Sequence, residues 1–228
     1  MANHLYPLTG LALIGNTGNG GMYLLFGSKY RFVFIIVVFL SIAWISLCSA
    51  EKTVQDQLGR QVSLPHDIDR IIPLAPSIAE NIYLLGKWNK VVAATRFTNY
   101  PSRARQLPKV GSYVNLDVER IVALNPDLCL ATKDGNPKSI VRELEQLGVS
   151  VYALDPRDVD AIGHTLLELG DILNAGDRAK KILGRMNTRF DRIKSLVQRS
   201  KHKPSVFFQI GISPIVSAGE NTIVHELI

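Results

Sequence analysis

Arg70-Ile71-Ile72-Pro73-Leu74-Ala75-Pro76-Ser77-Ile78-Ala79-Glu80 is the segment from which the architecture of this chain is first readable. Ile71 to Leu74 is a short apolar run, suited to a strand buried on both faces. Ser77 and Glu80 stand at capping-box spacing, which predicts a helix from Ser77 to Leu85, closed by Gly86. A second block, Asp117-Val118-Glu119-Arg120-Ile121-Val122-Ala123-Leu124-Asn125-Pro126-Asp127-Leu128-Cys129-Leu130-Ala131, reverses the order. Val118, Ile121, Val122 and Leu124 mark one helix face. Asn125-Pro126 stops that helix, because proline disfavours the helical state of the residue before it. Leu128 to Ala131 is then the next buried strand.

Outward from these blocks the same units recur. Thr53 to Leu64 reads as a small hairpin turning at Gln57-Leu58-Gly59-Arg60. A strand is expected at Val91–Ala94, followed by an irregular loop through Tyr100-Pro101. Helix Pro137–Leu147, ended by Gly148, precedes strand Val151–Leu154. Alternation of this kind implies a mostly parallel α/β sheet with right-handed crossovers. Two helices follow, Val159–Leu173 and Asp177–Arg199. In the second, Ala179, Ile182, Leu183, Met186, Phe190, Ile193 and Val197 form one apolar stripe. At about 1.5 Å per residue it spans more than 30 Å, enough to bridge two lobes. A fresh strand is expected at Val206–Ile210. Asn221 reads as the N-cap of a last helix with Ile223, Val224, Leu227 and Ile228 on its apolar face. The chain stops within that face, so a truncated second lobe is expected.

The first 50 residues differ from the rest. They contain no Asp or Glu, and only Lys29 and Arg31 precede an apolar run of 16 residues, Phe32 to Leu47. Cys48-Ser49-Ala50 follows, with small residues where a signal peptidase cuts. This is the order of a secretion signal, and the run is short for a membrane span. An anchor left uncleaved at residues 32–47 is the alternative. Leu47 argues against a lipidated Cys48. Met22 lies at a better distance from the signal than Met1, so 22 is a possible true start. Gly15-Asn16-Thr17-Gly18-Asn19-Gly20-Gly21 is discounted as a phosphate loop, because it does not follow a strand and open a helix.

The chain of 228 residues has 26 Lys and Arg against 20 Asp and Glu, a net +6. Two of those basic residues and none of the acidic ones fall in the first 50, which leaves +4 for the remainder. The basic residues from Arg178 to Lys203 read as the solvated face of a helix, not as a nucleic-acid surface. Cys129 is the single cysteine beyond the signal, so no intrachain disulfide is expected there. It reads as a small core residue. His66, His164, His202 and His225 are solitary. There is no paired-carboxylate motif, no metal-ligand cluster and no nucleophile elbow. Neither catalytic nor metal-binding residues are assigned.

Together the two blocks, with Phe208-Gln209-Ile210-Gly211, resemble the periplasmic substrate-binding proteins of cobalamin and iron-siderophore ABC importers, most closely the cobalamin-binding branch. The resemblance runs from about Val54 to Ile228. It implies two α/β lobes joined by a rigid helical backbone: signal peptide 1–50, N-terminal lobe 51–157, a helical segment 158–203 holding the bridging helix, and the start of a truncated second lobe at 204–228. It implies capture of a corrinoid and delivery to an inner-membrane permease, with no cofactor, no nucleic acid and no enzymatic chemistry. The protein is expected to be a periplasmic monomer. A ferric siderophore or haem is the alternative ligand, and a secreted α/β enzyme the alternative of another class.

A planar corrinoid calls for apolar and aromatic side chains at the carboxyl ends of the strands. Phe97 and Tyr113 match ligand-contacting aromatics of the family, as Phe for tyrosine and Tyr for tryptophan. Thr132 stands where a further aromatic is expected. Either ring could instead pack on its own lobe. Tyr100 reads as structural. Glu119 matches the glutamate that docks onto permease arginines; in isolation it is a first-turn residue favoured by the helix dipole. Glu80 is explained by the capping box.

Overall fold

The computed structural model describes residues 13–17, 21–25, 51–202, 204–220 and 222–228. Chain contacts divide the molecule at Ser49/Ala50. In the first unit β1 (Leu13–Thr17) pairs antiparallel with β2 (Gly21–Leu25), Thr17 opposite Gly21. Gly15 and Gly21 therefore lie in the strands of a hairpin. Cys48, Lys29, Arg31 and the run 32–47 lie outside the described residues.

In the second unit β3 (Lys52–Gln55) and β4 (Gln61–Leu64) form the expected hairpin, with Gly59 at φ 77°. The central sheet is parallel: β5 (Ile71–Pro73), β6 (Leu128–Thr132) and β7 (Val151–Leu154), in the order β5-β6-β7. Side chains on a strand alternate between faces, and here each face is sealed separately. Ile71, Leu128, Leu130, Tyr152 and Leu154 pack with Ile78 and Ile82 of α1 (Pro76–Leu84) and Leu166 and Leu169 of α4 (Val159–Ile172). Ile72, Cys129, Ala131, Val151 and Ala153 pack with Ile121 of α2 (Val118–Ala123) and Val141 and Leu144 of α3 (Lys138–Gln146). This is a three-layer α/β lobe.

Several local expectations need correction. There is no capping box at α1. Ala75 is the extended N-cap residue and makes no side-chain bond, and Pro76 takes the first helical turn. Proline suits that position, since its missing N–H would have had no intrahelical acceptor. Ser77 and Glu80 are thereby left exposed. The C-terminus of α1 is as expected: Gly86 sits at φ 76°, and Gly86 and Lys87 donate to the carbonyls of Tyr83 and Ile82. Val91–Ala94 is not a regular strand. Val91 bridges to Ile71 of β5, but Ala94 bridges to Lys109, so the segment changes partner midway. The loop that follows contains a 3₁₀ turn at Ser102–Gln106.

α5 (Gly176–Arg199) has 24 residues and is about 36 Å long. It meets α4 through small residues. A Cβ on Gly163 would stand 2.8 Å from a Leu183 methyl, and one on Gly170 would stand 2.6 Å from the Ala179 Cβ. The apolar stripe of α5 is buried only at this end: Ala179 is fully buried, whereas Ile193 and Val197 are more than half exposed. The strand expected at Val206–Ile210 lies instead at β8 (Gln209–Ile212), in an antiparallel hairpin with β9 (Ile215–Ser217). The last helix, α6 (Ile223–Leu227), has Thr222 as its N-cap, whose hydroxyl accepts from the His225 N–H; Asn221, the expected cap, lies outside the described residues.

Candidate functional site

A groove of about 330 Å³ opens beyond the carboxyl ends of β5 and β6, lined by Ala75, Pro76, Ser77, Phe97, Tyr113, Thr132, Asp134 and Gly135. Ligands in parallel α/β sheets bind at this edge. The structure thus brings Phe97 and Tyr113 to one groove, and Thr132 lies beside them. Both rings are exposed, 58% for Phe97 and 40% for Tyr113, although exposure of two such side chains in one concavity is costly without a partner. The first turn of α1 lines another side. The positive end of its dipole gives the groove a preference for ligand acceptors.

Each ring stands on a tight, cross-braced loop. Next to Phe97, the Thr98 N–H donates to the Thr95 carbonyl, and the two buried hydroxyls lie 2.9 Å apart. Lys109 Nζ donates to the carbonyls of Thr98 (3.1 Å) and Ala104 (2.8 Å), and burial pushes its ammonium down from the usual lysine value. The Arg96 N–H donates to the Gly111 carbonyl at 2.7 Å, which ties the Phe97 loop to the Tyr113 loop. Gly111 has φ 91°, and a Cβ there would overlap the Asn115 carbonyl oxygen. Only glycine fits both demands. The turn at Ser112–Asn115 then presents Tyr113, closed by the Ser112 N–H to the Asn115 carbonyl and the Asn115 N–H to Ser112 Oγ.

Asn136 is the clamp beneath the groove. Its Nδ2 donates to the carbonyls of Leu74 (3.0 Å) and Tyr113 (2.7 Å), and its Oδ1 accepts from the Thr132 N–H at 2.8 Å. One buried amide therefore fixes the ends of β5 and β6 and the Tyr113 loop. Gly135 lets the ring settle, since a Cβ there would stand 2.8 Å from Tyr113 Cδ2. The sequence reading passed over both residues. Gly135-Asn136-Pro137 carries only a turn signal, which does not show which distant carbonyls the amide will meet.

The rim is charged. Asp155 accepts from Lys133 and Arg157, each at 2.7 Å, and Arg157 also lies 3.5 Å from Asp134. Burial pushes the Asp155 carboxyl up, but the hydrogen bonds from Lys133 and Arg157 outweigh it and hold the group below its ordinary value.

Glu119 lies outside this network. It is exposed in the first turn of α2, where Asp117 is the cap and accepts from the Arg120 N–H. Among the described residues Glu119 has no ion-pair partner. Tyr100 packs edge-on against Tyr83, ring centres 5.4 Å apart. Cys129 is buried in β6, and burial pushes its thiol up to about 12. No group of His, Cys, Asp and Glu among the described residues could hold a metal ion, and no described helix is long and apolar enough to cross a membrane.

A family model described as periplasmic binding protein matches residues 71–228. Vitamin B12-binding proteins of Yersinia pestis (strain Pestoides F) and Yersinia pseudotuberculosis (serotype O:1b) are 31% identical to this chain over 160 residues, 70% of its length. The chain spans 57% of the length of these curated relatives. Among solved structures, a periplasmic heme-binding protein from Pseudomonas aeruginosa aligns with a TM-score of 0.64 and 30% identity, over 68% of this chain and 58% of that one. The periplasmic vitamin B12-binding protein of Vibrio cholerae aligns with a TM-score of 0.61 and 28% identity, over 68% and 60%. These relatives and neighbours are binding proteins, not enzymes.

Proposed function

We propose that this chain, which belongs to the periplasmic binding protein family, captures a cobalamin-type corrinoid and hands it to an ABC permease at the inner membrane. The observation that carries this reading is the placement of the two exposed rings, Phe97 and Tyr113, on one groove at the carboxyl edge of the sheet. A corrinoid offers a broad apolar face, which aromatic side chains cover at low entropic cost, and peripheral acceptors suited to the first turn of α1. Residues 51–157 act as one jaw, 158–203 as the helical segment with the bridging helix α5, and 204–228 as the start of the second jaw. Residues 1–50 direct export to the periplasm, with an anchor at 32–47 as the alternative outcome. The protein works as a monomer, without a cofactor. Export and delivery are supported by family membership, and the corrinoid by the vitamin B12-binding relatives.

Haem is the second reading, and one observation favours it: Tyr113 puts a phenol, a possible iron ligand, on the same groove. Titration with cyanocobalamin, haem and a ferric siderophore, followed by absorbance, tests the choice. A Tyr113→Phe variant sharpens it. The corrinoid reading expects affinity for cyanocobalamin to survive that change, because the ring stays. Tighter binding of haem than of cyanocobalamin, lost in Tyr113→Phe, refutes it.

Glu119 is proposed as the docking carboxylate. Its exposure without an ion-pair partner supports this role, since an arginine from a partner would meet it unpaired. Glu119→Ala is expected to weaken pull-down of the permease while leaving ligand affinity unchanged. Equal loss of both would assign it a structural role instead.

A further inference from the structure

At the opposite end of α1 from the groove, about 13 Å along the helix axis, lies a second depression of about 360 Å³. It is lined by Tyr83, Leu84, Gly86, Trp88, Asn89, Arg103 and Arg178. Two guanidinium groups share this pocket, and neither has a carboxylate partner among the described residues. Both are anchored on one side. Arg103 lies 5.5 Å from the ring centres of both Tyr83 and Trp88, which are themselves packed edge to face at 6.2 Å. A guanidinium stacked on rings keeps its in-plane N–H groups available. Arg178 donates through Nε to the Leu84 carbonyl and lies against Gly86, where a Cβ would come within 3.2 Å of its Nη1.

We infer that this pocket is a binding site for a small aromatic molecule bearing a phosphate or carboxylate. The two pre-positioned guanidiniums supply paired donors of the kind that match oxyanion geometry. Tyr83 and the buried Trp88 supply an apolar surface beside them. The C-terminal dipole of α1 opposes an anion here, and the Arg178 bond to Leu84 offsets it. The same pair of arginines accounts for selectivity: a neutral ring would leave both charges unpaired.

Phenyl phosphate is the probe, used with the full chain in a Trp44→Phe background so that Trp88 is the single tryptophan. A saturable change in Trp88 emission is expected at low salt. Inorganic phosphate should bind more weakly, and phenol should give no change over the same range. Arg103→Lys, which keeps the charge but not the planar fork, should weaken binding about tenfold, and Arg103→Ala should weaken it further. Arg103 is the informative position because Arg178 also braces the end of α1; an unchanged far-UV spectrum shows that the Arg103 variants remain folded. No saturable change with phenyl phosphate, equal binding of phenol, or wild-type affinity in a folded Arg103→Ala variant overturns the assignment.

Discussion

In the central sheet, β5 to β7, the apolar side chains are sealed on both faces, whereas in β8 and β9 the same residue types stand in solvent. Leu130 in β6 is fully buried, and Ile212 in β8 is 84% exposed. Both sit in strands, and both are large aliphatics. What separates them is the second layer: β6 has helices over each face, while among the described residues β8 pairs with β9 alone. Hydrophobicity marks a residue as able to join a core, but the stabilisation of roughly 1.5–3 kcal/mol for a fully buried side chain comes only when partners remove water from it.

The largest test of that contrast is a pair of truncations. Leu130→Ala is expected to cost about 3–4 kcal/mol in urea unfolding, through lost transfer energy and a cavity. Ile212→Ala should cost under about 0.5 kcal/mol. Similar costs would show that the β8–β9 hairpin is packed as tightly as the central sheet. Asn136→Ala comes next, at about 2 kcal/mol, because it leaves the buried Leu74 carbonyl, the part-buried Tyr113 carbonyl and the Thr132 N–H without this partner. Its cost should also appear as faster amide exchange in the Tyr113 loop.

A glycine pair refines the comparison along the helices. Gly170→Ala gains helix propensity of about 1 kcal/mol but drives a methyl into Ala179, so a net loss of about 1–2 kcal/mol is expected. At Gly184 on α5 a Cβ meets nothing within 4 Å, so Gly184→Ala should stabilise by about 0.5–1 kcal/mol. Equal effects would place Gly184 in a contact as close as that of Gly170. The smallest effect is electrostatic. Asp155 has a folded value below the ordinary one, so its contribution is fully present above about pH 4 and is lost as pH falls through the folded value. Asp155→Asn should be less stable at neutral pH and show a flatter acid limb. An identical acid limb in both proteins would remove the Lys133 and Arg157 bonds from the account.

The first region was largely legible in the sequence. Ile71–Leu74, Leu128–Ala131 and Val151–Leu154 are continuous apolar runs, and Gly86 and Gly148 mark helix ends by the backbone conformation they permit. The start of α1 was misread because Ser77 and Glu80 have the right spacing for a box, but Pro76 already supplies the first turn. Val91–Ala94 looked like a strand because local sequence does not reveal a change of partner from Ile71 to Lys109. In Val206–Ile210 four of the five residues are apolar, so no alternation fixes a register. The pairing instead depends on Ile215–Ser217, beyond the Ser213-Pro214 turn. At the site, Phe97 and Tyr113 stood out as aromatic residues in loops. Gly135 and Asn136 did not, because their roles depend on carbonyls and a ring brought from Leu74 and Tyr113.

The groove proposed to hold the ligand is the one that Phe97 and Tyr113 line. Hydrogen–deuterium exchange with and without cyanocobalamin addresses this directly. Protection is predicted in residues 95–98, 111–116 and 132–136, and it should disappear in a Phe97→Ala/Tyr113→Ala double variant. Unchanged exchange in those three segments, or protection that survives loss of both rings, would contradict it.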